Sequence, residues 1–184
     1  MTRQLVTTVK FLCLAVLLGG LSACATAADP GAMALATPAA TEAPFPAALQ
    51  HAMCVRNVTG GESTNPLWAS KVDNDGFKTA LTSSLDGASL SAASADGCHY
   101  PIDVNLLGLS QPSFGLDMTV TSHVNYKVYD SAGQPFVLET VDAPYTAKFG
   151  DAFMGVERLK KANEGSIRES IEKLFEKLRA TTPK

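Results

Sequence analysis

The chain has 184 residues and a formal net charge of −3, from 15 basic and 18 acidic side chains. Arg3 and Lys10 are the only charged residues before Asp29, so the rest of the chain is more acidic than the total indicates. This balance disfavours nucleic-acid binding, because a phosphate footprint needs a concentrated excess of positive charge.

The first residues predict an export signal over residues 1–23. Two basic residues precede the almost wholly apolar run at residues 11–21, FLCLAVLLGGL. A basic start followed by a short apolar run is typical of a secretory signal peptide. The run is too short to remain as a membrane-spanning helix, which needs roughly 20 apolar residues.

Residues 21–24, LSAC, directly follow the apolar run and resemble the lipobox of bacterial lipoproteins. The resemblance implies cleavage before Cys24 and lipidation of its sulfur, with palmitate-type acyl chains as the membrane anchor. Each buried methylene contributes about 0.8 kcal/mol, so two or three chains give lasting attachment. Ala25 in the next position implies the outer membrane, with the domain facing the periplasm. The alternative is an ordinary signal peptide, cleaved near the small residues at 25–28.

The part of the chain that follows the signal predicts a tether and one domain. Residues 24–48 are rich in Ala, Thr and Pro and have no apolar periodicity. Such a composition buries too little surface to offset the entropy of ordering, so we expect a flexible tether. Residues 49–184 have the usual size of a single domain with its own core.

Two cysteines remain after the signal and the lipidation site are set aside. Cys54 and Cys98 would lie in an oxidising compartment, where two thiols favour one structural disulfide. A redox-active pair is the alternative, but catalytic pairs usually have the Cys-x-x-Cys spacing, which these residues lack.

The first part of the domain predicts a strand and a helix. Residues 52–58, AMCVRNV, favour a strand that ends at a Gly-Gly turn. Residues 74–87 predict a helix, because large apolar residues recur every four positions. Asp73 or Asn74 is expected to cap its first amides, and the terminal glycine to end it.

Three further strands are predicted in the middle of the domain. The second strand begins near Cys98 and has a candidate bulge at Gly108. Residues 116–128 alternate between apolar and polar side chains, with Ser122 among the apolar positions, which is typical of a half-buried strand. Residues 130–133 predict a hairpin loop that leads into a fourth strand over residues 136–141.

The chain closes with a predicted helix that is strongest over residues 166–179. Its apolar residues follow the helical repeat, and Glu164 and Arg168 have the spacing of a favourable ion pair. The pattern extends back toward Leu159, with Gly165 weakening the middle.

Together these elements predict an α+β fold: an antiparallel four-stranded sheet with two helices packed on one face, in the order β-α-β-β-β-α. This layout, with its lipidated cysteine, is similar to small outer-membrane lipoproteins such as the lipoprotein plug of the lipopolysaccharide translocon. Residues 64–85 and 155–174 also resemble an uncharacterised family of bacterial lipoproteins. A shared layout does not carry a function with it.

Candidate metal and recognition residues favour structural roles. Residues 73–76, DNDG, lack the carboxylates that a calcium loop needs at its first and last positions, so helix capping is favoured. His51, His99 and His123 are too scattered for a zinc pattern, and we expect no metal and no cofactor. Trp68, the only tryptophan, is expected to pack over a sheet edge, with a recognition surface as the alternative.

No catalytic motif is recognisable, so the chain is predicted to be a non-enzyme. The leading hypothesis is an envelope accessory or assembly factor that binds a protein partner through a sheet surface or edge. The alternative is a carrier or sensor that binds a lipid or small apolar ligand between helices and sheet. Its cavity would be lined by Phe77, Leu81, Ile171 and Leu174. A third hypothesis, a hydrolase, requires convergent polar groups in a cleft.

Overall fold

The computed structural model describes residues 25–37, 43–65, 69–181 and 183. The strands are β1 (Met53–Thr59), β2 (Tyr100–Ser110), β3 (Met118–Tyr129) and β4 (Pro135–Ala147). The α-helices are α1 (Pro30–Met33), α2 (Asn74–Gly87) and α3 (Gly155–Ala180). The predicted signal at residues 1–23, Cys24 and Trp68 lie outside the described residues.

The four strands form one mixed sheet in the order β1-β2-β3-β4. β1 is parallel to β2, whereas β2–β3 and β3–β4 are antiparallel. The prediction of a fully antiparallel sheet was therefore wrong for one pair. α2 lies between β1 and β2 in the chain and carries it back to the starting end of β1, so β2 runs in the same direction. Period-two alternation is the same for either direction and did not reveal this.

α2 has the bounds expected from its apolar repeat. The Asp73 side chain accepts a hydrogen bond from the Gly76 amide at 2.7 Å, which confirms its role as the cap. Phe77, Leu81 and Leu85 have no exposed surface. The helix therefore buries one continuous stripe against the sheet.

β2 has the predicted bulge, whereas β4 is longer than predicted. The β2–β3 register shifts between Leu106 and Gly108, which confirms the predicted bulge. β4 continues to Ala147, well beyond the predicted residue 141. The prediction ended too early because the strand buries only the small residues Ala143 and Ala147 beyond that point. Small side chains give a weak hydrophobic signal even where a strand is fully paired.

α3 is one continuous helix of 26 residues. Gly165 does not interrupt it. A side chain at this position would collide with the ring of Tyr145 in β4, so the glycine allows the helix to approach the sheet closely. The expected cost of a mid-helix glycine, about 1 kcal/mol relative to alanine, is offset by this packing.

α2 and α3 pack on the same face of the sheet and enclose the main core. Tyr126, Phe77 and Phe175 are its largest fully buried side chains. The rings of Phe77 and Tyr126 meet edge to face, with their centroids 6.4 Å apart. Aromatic pairs favour this geometry, and it fixes α2 against β3.

The predicted tether needs correction for its described residues. Residues 25–37 and 43–48 are not free chain: α1 contributes Met33, which has no exposed surface. The Leu35 amide donates to the Ser84 hydroxyl at 2.9 Å, and the ring of Phe45 meets that of Phe175 at 5.5 Å. α1 also adds a third helix to the two predicted. A few well-placed apolar side chains between the larger helices suffice to order this segment, although its composition shows no periodicity.

This segment also changes the ion pairs expected on α3. The Glu164 carboxylate accepts a hydrogen bond from the Asp29 amide at 2.8 Å, and Arg168 donates to the Ala32 carbonyl at 2.7 Å. Glu164 lies 3.8 Å from Lys160. The predicted Glu164–Arg168 pair is therefore replaced by contacts that hold the N-terminal segment on the helix.

Cys54 and Cys98 form a disulfide, with their Cα atoms 5.6 Å apart. Cys54 pairs with Pro101 across the β1–β2 ladder, so Cys98 lies just before the neighbouring strand. The bond joins adjacent strands, as the sequence led us to expect. Within the described ranges, no helix combines the length and the apolarity that a membrane span requires.

Candidate functional site

The sheet has an open face, opposite the helices, on which no described helix packs. The exposed strand residues Leu107, Ser110, Leu138 and Asp142 lie on this face, together with the half-buried His123. Leu107 and Leu138 expose 57% and 64% of their surface, which is unusual for leucines in the middle of paired strands. The open face is therefore a mixed polar and apolar surface.

Near the β3–β4 hairpin, the open face carries a charged pair stacked on a tyrosine. Arg56 Nε donates to Asp103 Oδ1 at 2.8 Å, and the guanidinium lies 4.6 Å from the centroid of the Tyr129 ring. The hydrogen bond from Arg56 lowers the pKa of Asp103, and the pair raises the pKa of Arg56. Arg56 and Asp103 thus stay charged at neutral pH and hold β1 to β2.

Further along the same face, three side chains form a continuous hydrogen-bonded chain. The Ser110 hydroxyl lies 3.0 Å from His123 Nε2, and His123 Nδ1 lies 2.6 Å from Asp142 Oδ1. From the sequence we expected His123 to be an ordinary strand residue, and this group was not predicted. The β3–β4 register, which places His123 opposite Asp142, is the signal that could have found it.

This arrangement has the connectivity of a serine-hydrolase triad, but its setting differs. A hydrolase nucleophile usually stands on a strained turn beside preorganised oxyanion donors. Ser110 is the last residue of strand β2, and Asp142 exposes 67% of its side chain to water. Water therefore screens the ion pair that would orient the imidazole. The group fits a cross-strand ladder on the sheet surface.

A second surface lies at one end of the domain, where the β2–β3 loop and the β4–α3 connection meet. Its exposed apolar residues, here called the apolar end, are Phe114, Leu116, Phe149, Phe153 and Met154. Phe114 and Phe153 each expose 88% of their surface. The predicted third strand began at Leu116, with its apolar side chains buried; this start was wrong, because β3 begins only at Met118 and Leu116 is exposed.

Arg158 holds the two loops of the apolar end together. It is only 5% exposed, and its guanidinium donates to the carbonyls of Ala152 at 2.7 Å and Phe153 at 2.8 Å. The same group lies 3.4 Å from the Gly115 carbonyl in the other loop. An open groove of about 780 Å³ runs beside it, lined mainly by apolar side chains such as Phe114 and Leu159.

The interior predicted to hold a ligand is occupied by protein. Phe77, Leu81, Ile171 and Leu174 each have no exposed surface and belong to one packed cluster. The prediction of a cavity lined by these residues was therefore wrong, because the helices close directly onto the sheet.

The remaining candidate residues lie apart. His51 and His99 are exposed and distant in the chain from His123, and no metal-binding group of three ligands occurs among the residues that the structure describes. Asp73 serves as the helix cap. Cys24 and Trp68 fall outside the described ranges. Ala25, the first described residue, is buried.

No family model and no curated protein matches the chain. Solved structures that are similar to it include the following three. A candidate lipoprotein from Caulobacter crescentus has 13% identity over 56% of this chain and 78% of its own, with a TM-score of 0.43. A Xanthomonas campestris protein of the DUF330 family has 11% identity over 74% of this chain and 90% of its own, with a TM-score of 0.50. A hypothetical protein from Chlamydia trachomatis has 14% identity over 71% of this chain and 94% of its own, with a TM-score of 0.45. At this identity, the Xanthomonas comparison shows the fold alone. The expected likeness to the plug of the lipopolysaccharide translocon stays a prediction.

Proposed function

We propose that this protein is a non-catalytic lipoprotein of the outer membrane, which acts as an envelope accessory or assembly factor. Acyl chains on Cys24 anchor it, the domain faces the periplasm, and the open face of the sheet binds a protein partner. The observation that carries the proposal is the exposure of Leu107 and Leu138 on an uncovered sheet face.

The composition of the open face supports a protein partner. Leu107 and Leu138 share the open face with polar pairs such as Arg56–Asp103 and Asn125–Thr140. Protein interfaces combine apolar anchors with a polar rim in this way, and a flat surface matches another protein better than a small molecule.

The lipid anchor rests on the sequence at residues 21–24. Replacing Cys24 with alanine removes the sulfur to be acylated. We therefore expect the Cys24→Ala variant to fractionate with soluble proteins and to incorporate no labelled palmitate. The parent should fractionate with membranes and incorporate the label. A variant that stays with membranes as the parent does contradicts the anchor.

The partner surface is tested by photo-crosslinking in cells. A crosslinking amino acid at position 138 lies on the open face, whereas one at Glu172 lies on the exposed side of α3. We expect position 138 to yield a discrete adduct that Leu107→Asp abolishes, and position 172 to yield none. Equal adducts at both positions, or no adduct together with an intact envelope after deletion of the protein, would contradict the proposal.

A further inference from the structure

The exposed apolar side chains of the domain are concentrated at one end. Among the described residues, seven large hydrophobic side chains are exposed, and five of them form the apolar end. The other two are the leucines of the open face. Exposed apolar surface at such density marks a site of contact with another protein or a membrane.

The topology brings the ends of three strands and the start of α3 to this end. β2 ends and β3 begins at the loop that carries Phe114, and β4 ends shortly before the segment that carries Phe153. α3 begins directly after that segment. The apolar end is therefore made of two short connections held on a rigid sheet and helix, with Arg158 joining their backbones.

The N-terminal segment starts on the same side of the domain. Asp29 contacts Glu164 and, further along, Ala32 contacts Arg168, so the segment runs in the same direction as α3. The start of the segment consequently faces the beginning of that helix. Ala25 is the first described residue, and Cys24 precedes it directly in the sequence.

Charges of both signs border the apolar end, since Asp117 and Asp151 are exposed there together with two lysines. Lys148 and Lys161 are exposed and flank the segment that carries the two phenylalanines at 149 and 153. Side chains such as Phe and Leu enter the boundary between headgroups and acyl chains, while lysines remain at the level of the phosphates. Lys161 also donates to the Asp151 carbonyl at 2.7 Å, which fixes the charge next to the loop.

We propose that the apolar end is a second membrane contact, which inserts Phe114, Leu116, Phe153 and Met154 into the bilayer that holds the acyl chains of Cys24. The contact rests on the proposed lipid anchor. The contact orients the domain on the membrane. The strands extend away from the bilayer, and the open face is directed parallel to the membrane plane, where a partner can bind it. One attachment point becomes two, so the domain cannot rotate freely about the anchor.

The test uses the full lipidated protein with a single tryptophan as reporter. Trp68→Phe removes the native indole, and Phe153→Trp places one at the apolar end. Leu138→Trp, at a comparably exposed position on the open face, is the matched control. Each protein is inserted into vesicles of phosphatidylethanolamine with a minor fraction of phosphatidylglycerol, whose acyl chains are brominated close to the headgroup or unmodified.

We expect bromine to reduce the emission of the indole at position 153 by about half or more, since interfacial side chains reach about 5–10 Å into the headgroup boundary. Emission at position 138 should change little. Equal quenching at both positions, or none at position 153 while the protein floats with the vesicles, overturns the membrane contact only. If the emission wavelength of the indole at position 153 shifts without quenching by bromine, position 153 contacts protein and not lipid, and this result also overturns the membrane contact. Failure to float removes the lipid anchor, and the contact falls with it.

Discussion

The hydroxyls of Tyr126 and Ser170 lie 2.9 Å apart in the centre of the domain, where β3 meets α3 and neither residue has exposed surface. Burial raises the pKa of the Tyr126 phenol far above its ordinary value, so the phenol remains protonated. Each hydroxyl has a partner that it would otherwise lack in an apolar core.

This pair predicts a strongly non-additive double-mutant cycle. Tyr126→Phe or Ser170→Ala leaves one buried hydroxyl without its partner, and we expect each to lower the free energy of unfolding by about 1–3 kcal/mol. The double variant removes both hydroxyls and should cost less than the sum. Urea denaturation of the four proteins measures this; strict additivity would show that the hydrogen bond contributes nothing.

Gly165 predicts that a better helix former destabilises the protein. Overpacking costs about 1–3 kcal/mol, and alanine gains about 1 kcal/mol in helix propensity. Because a side chain at 165 collides with the Tyr145 ring, we expect Gly165→Ala to lose up to about 2 kcal/mol net. At Gly155, in the same helix, a Cβ would lie 3.7 Å from the nearest atom of Met118, an ordinary contact. Gly155→Ala should therefore be neutral or slightly stabilising, and equal thermal unfolding of the two variants would contradict the prediction.

The disulfide predicts a large loss of stability on reduction. Its cysteines are separated by 44 residues, and a closed loop of this length contributes about 4 kcal/mol in the chain-entropy model. We expect Cys54→Ala with Cys98→Ala to lose stability of this order, measured by urea denaturation. A reducing agent should lower the midpoint of the parent and leave the double variant unchanged. Two free thiols in the non-reduced parent, found by mass spectrometry, would contradict the bond.

Glu164 predicts a dependence of stability on pH. Burial raises the pKa of its carboxyl, and the hydrogen bond from the Asp29 amide and the charge of Lys160 compensate only in part. The folded state therefore binds this proton more tightly than the unfolded chain. Between the ordinary carboxyl pKa and the raised value, stability should fall as pH increases, and it should be level above that interval.

Glu164→Gln should remove this slope, because the amide does not ionise in the interval. The control is Glu172→Gln, an exposed position on the same helix that makes the same change of net charge. Urea midpoints across the interval are compared for the three proteins. Parallel curves for the parent and Glu164→Gln would show that the carboxyl does not carry the effect.

The chain of Ser110, His123 and Asp142 predicts no hydrolase activity. Since the contact between His123 and Asp142 is exposed and Ser110 ends strand β2, we expect a fluorophosphonate probe to leave Ser110 unmodified, as judged by mass spectrometry of the intact protein. A serine protease treated in parallel confirms that the probe is active. Modification of Ser110 that His123→Ala abolishes would overturn the non-catalytic proposal.

The local elements of this fold could be predicted from the sequence. α2 has the predicted bounds because its cap and its apolar repeat are written within a few turns of one helix. The bulge at Gly108 and the hairpin after Tyr129 were likewise predictable, since a glycine and a turn sequence act on their immediate neighbours. Cys54 and Cys98 could be paired because only two candidate thiols remained.

The sequence by itself thus determined where α2, α3 and most of the four strands form and which faces they bury, while the membrane anchor and location implied by residues 1–24 stay a prediction. Only the tertiary structure decided that β1 is parallel to β2, that residues 25–37 pack between the helices, and that five exposed apolar side chains meet at one end. The physical reason is the distance along the chain between the residues that interact. A periodic pattern records contacts within one element, whereas strand direction, the seating of Met33 and the meeting of two loops at Arg158 depend on partners far away in the chain.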